Sequence, residues 1–137
     1  MRARGSITGL YTVLVEGDDA NEPVADSVRA ILDGHIVLSR DLAARNHYPA
    51  IDILQSVSRT MPDVTTVEHR LKAGQLRQWI ATLRDSEDLV SVGAYVKGSS
   101  ARIDGALDRR EAIDRFLVQS FEVTTSLEES LAALMAL

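Results

Sequence analysis

The sequence predicts an α/β segment followed by an all-helical segment. Short strands and helices alternate up to about residue 60, and no convincing strand pattern follows residue 64. Alternation of this kind is typical of an α/β sheet, whereas helical periodicity alone is typical of a bundle. We therefore assign residues 1–62 to one domain and residues 63–137 to a small helical domain.

The first predicted element is a buried strand at residues 7–15. This run is β-branched and aromatic, with too little polar alternation for a solvated face. Near-continuous apolar strands usually lie in parallel sheets covered on both faces. Because neighbouring strands are missing, we expect this strand to leave apolar surface bare, over more than a few hundred Å². We interpret Asp18 and Asp19, which follow it, as turn residues rather than as a metal pair.

A helix, a short strand and a second helix are predicted next. Pro23 suits the first position of a helix, and Gly34 is expected just past its end. Residues 35–38 are a short apolar strand. Ser39 is a candidate N-cap for a helix that Asn46 ends in the left-handed conformation.

The second half contains helix signals only. Thr65 with Glu68, and Thr125 with Glu128, have the spacing of capping boxes that begin two helices. The first of these helices carries an apolar stripe at i, i+3, i+4 and i+7, which predicts a core-facing side. The stripe consists of Leu76, Trp79, Ile80 and Leu83.

Composition excludes several classes of function. With 15 Lys and Arg against 20 Asp and Glu, the net charge is −5, which argues against a nucleic-acid-binding protein. The absence of cysteine excludes a disulfide scaffold, a thiolate zinc site and a cysteine nucleophile. The longest apolar run, residues 9–15, is too short to span a bilayer. The basic residues 1–4 are not followed by the apolar region of a secretory signal, so we expect a soluble protein.

Several segments together resemble the ATPases of type III protein export, which are relatives of the rotary F-type ATPases. The segments are Gly5-Ser6-Ile7-Thr8, residues 15–19, Asn21-Glu22-Pro23, residues 31–40 and residues 47–59. The resemblance runs through essentially the whole chain. It implies the C-terminal end of a RecA-like parallel-sheet ATPase domain plus a small C-terminal helical domain. Residues 92–99 look more like the flagellar branch, since the injectisome branch tends to carry an acidic residue where Ala94 stands.

The function implied by the resemblance is export of flagellar proteins coupled to ATP hydrolysis. The implied enzyme is a cytoplasmic homohexamer that uses ATP and Mg, peripheral to the inner-membrane export gate. Its implied partners are central-stalk and peripheral-stalk export proteins, export substrates and chaperones, but not nucleic acid. Two alternatives stay open: an injectisome (virulence type III secretion) ATPase fragment, and a non-catalytic fragment whose helical domain binds partners.

One element of such an enzyme is missing from the 137 residues. No G-x-x-x-x-G-K-[ST] phosphate loop occurs, although its backbone N–H groups and lysine hold the phosphates. We expect the chain alone to hold neither ATP nor Mg and to be inactive. The rest of the site is expected on another chain or on a preceding part of this one.

Arg59 is the candidate catalytic residue. The resemblance implies that it is an arginine finger that reaches into the site of the neighbouring subunit. An arginine supplied in this way stabilises charge on the γ-phosphate and accelerates transfer by about 10³–10⁵. Its planar, permanently charged fork suits phosphate oxygens. The alternative is a structural ion pair with Asp52 or Asp63.

Tyr48 and Phe121 are the candidate cofactor-binding residues. The resemblance implies that Tyr48 stacks on adenine in its own subunit and that Phe121 closes the far side of that pocket. The alternative for both is ordinary core packing. No metal-ligating residue is predicted, because the three histidines lack ligand spacing. These are His35, His47 and His69.

Overall fold

A computed structural model describes Gly5, residues 7–14 and residues 23–137, with side chains given for all of these except residues 24–26. The chain divides into two compact units, Met1–Leu32 and Asp33–Leu137. The described helices are α1 (Pro23–Ile31), α2 (Arg40–Ala44), α3 (Met61–Val64), α4 (Val67–Ser91), α5 (Ala101–Leu107), α6 (Arg110–Leu117) and α7 (Leu127–Ala136). The described strands are β1 (Gly34–His35) and β2 (Val57–Ser58).

The predicted first strand is not formed over residues 7–14. Ile7, Leu10 and Leu14 are each at least 92% exposed, so these apolar side chains are uncovered, while the expected size of the patch stays a prediction. The physical reason is that a strand of a parallel sheet depends on neighbours for its backbone hydrogen bonds. The described strands β1 and β2 are paired with each other instead. Residue 15 and the predicted turn with Asp18 and Asp19 lie outside the described residues.

The second unit begins with a two-stranded antiparallel ladder. Gly34 pairs with Ser58 and His35 with Val57, and an isolated bridge joins Leu38 to Ile51. Gly34 was expected just past the end of α1, but α1 ends at Ile31 and Gly34 lies in β1. A β-carbon at Gly34 would stand 2.6 Å from the carbonyl oxygen of Val57, so close backbone approach explains this glycine.

Helix α2 has the predicted caps. The hydroxyl of Ser39 accepts a hydrogen bond from the backbone N–H of Leu42 at 3.3 Å. Asn46 has a φ of 58°, the left-handed conformation expected for it. Both features rest on local chemistry, which explains why the sequence predicts them well.

Both predicted capping boxes are displaced: each N-cap lies one residue later than expected, and only the cap of α7 is part of a capping box. Thr66, not Thr65, caps α4, and the Thr65 hydroxyl donates to the carbonyl of Met61. Ser126, not Thr125, caps α7 and forms a reciprocal capping box with Glu129. In each case two adjacent residues carry a hydroxyl group. The second of the two caps the helix, because its hydroxyl accepts a hydrogen bond from the backbone N–H three residues later.

The core of the second unit lies between α4, α6 and α7. Its buried members are Leu76, Ile113 and Leu134. The predicted stripe of α4 is confirmed, because Trp79, Ile80 and Leu83 pack against this cluster. The guanidinium carbon of Arg109 lies over the Trp79 ring, 4.7 Å from its centroid, a cation–π contact. One face of α4 is therefore packed in the core of the helical unit.

Candidate functional site

The two candidate adenine-binding residues contact each other. The ring centroids of Tyr48 and Phe121 are 5.7 Å apart, with the ring planes inclined by 44°. This tilted arrangement lies within the range that aromatic pairs prefer. Residues separated by more than seventy positions in the sequence thus form one aromatic cluster.

The segment that carries Phe121 is fixed through Gln119. The backbone N–H of Gln119 donates to the carbonyl of Tyr48 at 2.8 Å. Its side-chain amide donates to Val123 O at 2.8 Å and to Thr125 Oγ1 at 3.1 Å. Phe121 itself is 89% exposed. The loop is therefore anchored at Gln119, while the ring of Phe121 stands at the surface.

A shallow pocket of about 190 Å³ lies next to this cluster. Its lining is mainly apolar, with one amide and one imidazole, a composition that suits a flat heterocycle better than a charged group. The lining residues are His47, Pro49, Ile51, Ile53, Phe116, Leu117 and Gln119.

Arg59 follows β2 directly and is exposed. Its backbone N–H donates to the carbonyl of Asp33 at 2.7 Å, which extends the β1–β2 ladder by one bond. The backbone of Arg59 is thus held by a hydrogen bond to Asp33 next to the β1–β2 ladder. The backbone of Tyr48 is held by a hydrogen bond from Gln119. Tyr48 and Phe121 are brought together, and Arg59 is positioned through separate contacts.

Asp52, one of the two alternative partners for Arg59, is occupied by other groups. Its carboxylate is 5% exposed and accepts Arg84 Nη2 at 3.1 Å. It also accepts the backbone N–H groups of Leu54 and Gln55, at 2.9 and 3.1 Å, and the side-chain amide of Gln55 at 3.0 Å. Burial raises the pKa of Asp52, but these hydrogen bonds and the Arg84 charge outweigh burial and hold its pKa below the ordinary value.

Arg77 contacts the same turn from the other end. Its guanidinium donates to three backbone carbonyls: Leu54 at 3.0 Å, Ser56 at 3.1 Å and Ile53. Arg77 and Arg84 both lie on α4 and are seven residues apart, so they emerge from the same face of the helix.

These two arginines and the role of Asp52 were not predicted from the sequence. Two signals were nevertheless present. Asp52 and Gln55 have the spacing of a capping box, which indicates a local turn. Arg77 and Arg84 repeat with two-turn spacing beside the apolar stripe of α4. The contact between the two features spans 21 to 32 residues and leaves no local signature.

Neither a metal site nor a membrane span is found in the described ranges. Within residues 7–14 and 23–137, no group of three His, Cys, Asp or Glu side chains is placed to hold a metal ion. No helix in that part of the chain combines the length and apolarity needed to cross a membrane. His35, whose ring nitrogen Nε2 is 3.1 Å from Gln55 O, contacts backbone.

Two protein families match the sequence in succession. Residues 1–58 match the nucleotide-binding domain of the ATP synthase alpha/beta family. Residues 65–136 match the C-terminal domain of the type III secretion ATPase EscN. The chain belongs to the family of flagellar and type III secretion ATPases.

Curated relatives of both branches match at similar identity. The flagellum-specific ATP synthase of Bacillus subtilis is 49% identical over 97% of this chain. The SPI-2 type 3 secretion system ATPase of Salmonella typhimurium is 54% identical over 88% of it. The chain spans 30% and 28% of the lengths of these two relatives.

Solved structures of EscN from enteropathogenic E. coli share the fold. The assembled ATPase matches with a TM-score of 0.92 and 45% identity, over 96% of this chain and 32% of that chain. The same ATPase in complex with its central stalk EscO matches with a TM-score of 0.78 and 43% identity, over 83% and 28%. The described fold is thus the end of a RecA-like domain followed by a helical C-terminal domain.

Proposed function

We propose that this chain is part of a homohexameric ATPase that couples ATP hydrolysis to type III protein export. In this proposal, residues 1–62 belong to the nucleotide-binding domain and residues 63–137 form the helical domain. The support is the succession of the two family matches and the likeness to the assembled EscN ATPase. The chain alone lacks the phosphate-loop sequence and does not hydrolyse ATP.

Arg59 is the arginine finger of this enzyme. The observation that carries the assignment is its position directly after β2, exposed, with its backbone tied to Asp33. An exposed arginine on an anchored backbone suits a residue supplied across a subunit interface, which needs a defined origin for its side chain. The alternative role of Arg59 is a structural ion pair with Asp52 or Asp63. Because Asp52 is paired with Arg84, Asp63 is the partner that this alternative requires.

Tyr48 and Phe121 form the adenine end of the nucleotide site in the same subunit. The support is that the two rings lie side by side and that the adjacent pocket is mainly apolar, which suits a flat, uncharged base once the rings have separated. In this proposal the phosphates and Mg are held by residues outside these 137, because the sequence contains no phosphate loop. ATP, when bound, supplies the γ-phosphoryl group for transfer to water.

The flagellar branch is the proposed setting, on the basis of residues 92–99 and Ala94. An injectisome ATPase is the second candidate, favoured by the 54% identity to the Salmonella SPI-2 enzyme. In either setting the partners are a central stalk, peripheral-stalk proteins, export substrates and chaperones, and the enzyme lies in the cytoplasm at the membrane export gate. Restoration of motility, or of effector secretion, in matched deletion strains distinguishes the two branches.

The test replaces the matching part of the Bacillus subtilis ATPase with this chain and measures ATP hydrolysis. Arg59→Ala is expected to lower kcat by about 10³ or more with little change in nucleotide affinity, because the lost contact exists mainly in the transition state. Arg59→Lys keeps the charge but not the fork and should restore little activity.

Mixed hexamers provide the control. Arg59→Ala subunits should regain part of their activity beside subunits that carry Arg59 but lack the phosphate-loop lysine. Equal losses of affinity and rate, without gain on mixing, would show that Arg59 is a structural ion-pair partner. Sustained ATP turnover by the isolated 137-residue chain that Arg59→Ala abolishes would contradict the proposal as a whole.

A further inference from the structure

The turn at residues 52–56 is held by opposite charges at its two ends. The backbone N–H of Ser56 donates to Asp52 O at 3.0 Å, which closes a single helical turn. One helical turn leaves N–H groups unpaired at its start and carbonyls unpaired at its end. The Asp52 carboxylate accepts the former and the Arg77 guanidinium binds the latter.

Both charged contacts of this turn lead to one helix. Arg77 binds its carbonyl end directly, and Arg84 binds the Asp52 carboxylate at its start. The two arginines share a side of α4 that flanks its apolar stripe, and the stripe carries Leu76 in the core of the helical domain. Helix α4 thus links the 52–56 turn to the hydrophobic core.

The 52–56 turn is also continuous with the strand that leads to Arg59. The Ser56 hydroxyl accepts the backbone N–H of Val37 at 3.0 Å and donates to Asp52 O at 2.6 Å. Residues 57 and 58 then form β2, and the N–H of Arg59 bonds to Asp33. No more than two residues separate the end of the turn from Arg59, so a displacement of the turn moves the origin of the Arg59 side chain.

We propose that Arg77 and Arg84 are positioning residues for Arg59, which fix the 52–56 turn and thereby the direction from which the Arg59 guanidinium leaves the backbone. This inference rests on the proposed function of Arg59 for its catalytic consequence. Its structural content, that α4 controls the order of residues 53–59, stands independently. A finger misplaced by about 1 Å loses on the order of 10²-fold in rate, so the hold on the turn matters for catalysis.

Arg77 and Arg84 bind different numbers and kinds of acceptor groups. Arg84 meets one carboxylate oxygen, a contact that a lysine ammonium is able to reproduce in part. Arg77 meets three carbonyls with one planar fork, which a lysine does not match. Replacement by lysine should therefore be tolerated at position 84 and harmful at position 77, a pattern that general helix stability does not produce.

The first experiment measures amide hydrogen exchange of the 137-residue chain by NMR. In Arg77→Ala and Arg84→Ala, the amides of Leu54, Gln55 and Arg59 should exchange at least about tenfold faster, because the turn opens locally. Amides of the core residues Leu76 and Ile113 should change little. Glu87→Gln is the matched control, since it removes another α4 ion pair, the exposed contact with Arg45 at 3.0 Å.

Two outcomes of this experiment would overturn the inference. Unchanged exchange at Arg59 in both arginine variants would show that the turn is held without α4. Equal acceleration at the core amides would show that the arginines stabilise the fold as a whole. Should Arg77→Ala not fold, Arg77→Lys provides the same measurement with the charge retained.

The second experiment measures kcat and KM in the hexamer described above. Arg84→Ala and Arg77→Lys should lower kcat by about 10- to 100-fold with KM for ATP nearly unchanged, whereas Arg84→Lys should recover most of the rate. If Arg59→Ala lowers kcat but these variants do not, the positioning role is refuted and the proposed function stands. If Arg59→Ala itself has no effect, the proposed function fails, and the exchange data still decide the structural part.

Discussion

The ring of Tyr48 lies 5.7 Å from the ring of Phe121, centroid to centroid, and the two planes are inclined by 44°. A flat base between two rings needs van der Waals spacing on both sides, or about 7–8 Å between them. The two rings as observed are too close to hold a base between them. Because Phe121 is 89% exposed and Tyr48 is only partly so, we expect Phe121 to be the ring that moves if the proposed site takes up adenine.

The proposed stacking of Tyr48 on adenine is testable by substitution of its ring. In the assembled ATPase, Tyr48→Ala should weaken nucleotide affinity by about 1–3 kcal/mol and largely spare kcat. Tyr48→Phe keeps the stacking face and should bind nearly as well as the wild type. Equilibrium titration with a fluorescent ATP analogue measures both variants. A Tyr48→Phe variant as weak as Tyr48→Ala would mean that the hydroxyl, not the ring, binds the ligand.

Asp52 gives the stability of the chain a defined acid dependence. Its pKa is lowered in the folded state from an ordinary value of 3.8, so its stabilising effect is complete above that value and is lost as the pH falls through the lower folded pKa. Asp52→Asn should cost about 1–3 kcal/mol at neutral pH, because hydrogen bonds to a charged, buried acceptor are weakened.

Urea unfolding as a function of pH checks this behaviour. The difference between wild type and Asp52→Asn should shrink as the pH falls below 3.8. Asp108→Asn is the control at neutral pH, since it removes the exposed pair with Lys97 and should cost well under about 1 kcal/mol. A difference for Asp52→Asn that stays constant with pH would contradict a role for its charge.

Gly34 and Gly74 should respond to alanine in opposite directions. At Gly34 the new β-carbon would meet the backbone carbonyl of Val57, which has no room to yield, so Gly34→Ala should destabilise by about 1–3 kcal/mol. At Gly74, within α4, nothing lies within 4 Å, and alanine should stabilise by about 0.5–1 kcal/mol. Urea unfolding measures both; destabilisation at Gly74 would indicate a contact of that helix face with another chain.

The caps of α7 offer a comparison of neighbouring hydroxyls. Ser126→Ala should cost about 0.5–2 kcal/mol, because it removes the acceptor of the Glu129 N–H and one half of the capping box. Thr125→Ala, at the position expected from sequence, removes only an exposed acceptor of the Gln119 amide and should stay within about 0.5 kcal/mol. Thermal unfolding of both variants measures these losses of stability. Equal losses for the two variants would mean that Thr125 contributes to the cap as much as Ser126 does.

Local chemistry accounts for the elements that sequence predicts correctly. The Ser39 cap, the left-handed Asn46 and the stripe of α4 depend on residues within one or two turns of each other. The strand predicted at residues 7–15 is not formed over the described residues 7–14, because strand formation depends on partner strands that a sequence pattern does not supply. The predicted N-caps of α4 and α7 are wrong by one residue, because two hydroxyl residues stand side by side at each position and a sequence pattern does not distinguish them.

In the candidate site, too, the residues found from the sequence differ from those that only the fold brings together. Tyr48, Phe121 and Arg59 were singled out by resemblance to a family, and the family is confirmed by the comparisons. The contacts of Arg77 and Arg84 with residues 52–56 were not predicted, because side chains 21 to 32 positions away meet only after α4 has packed. The roles of the three candidate residues remain predictions.

The contacts of Arg77 and Arg84 with residues 52–56 affect which recombination events between relatives preserve this part of the structure. A recombination breakpoint near residue 62 would separate Arg77 and Arg84 from the carboxylate and carbonyls that they bind. A breakpoint near Asp33, where the second compact unit begins, would transfer both sides of the contact together. Among hybrid ATPases, those joined before Asp33 should accordingly retain a correctly directed Arg59 more often than those joined at the border between the two family matches.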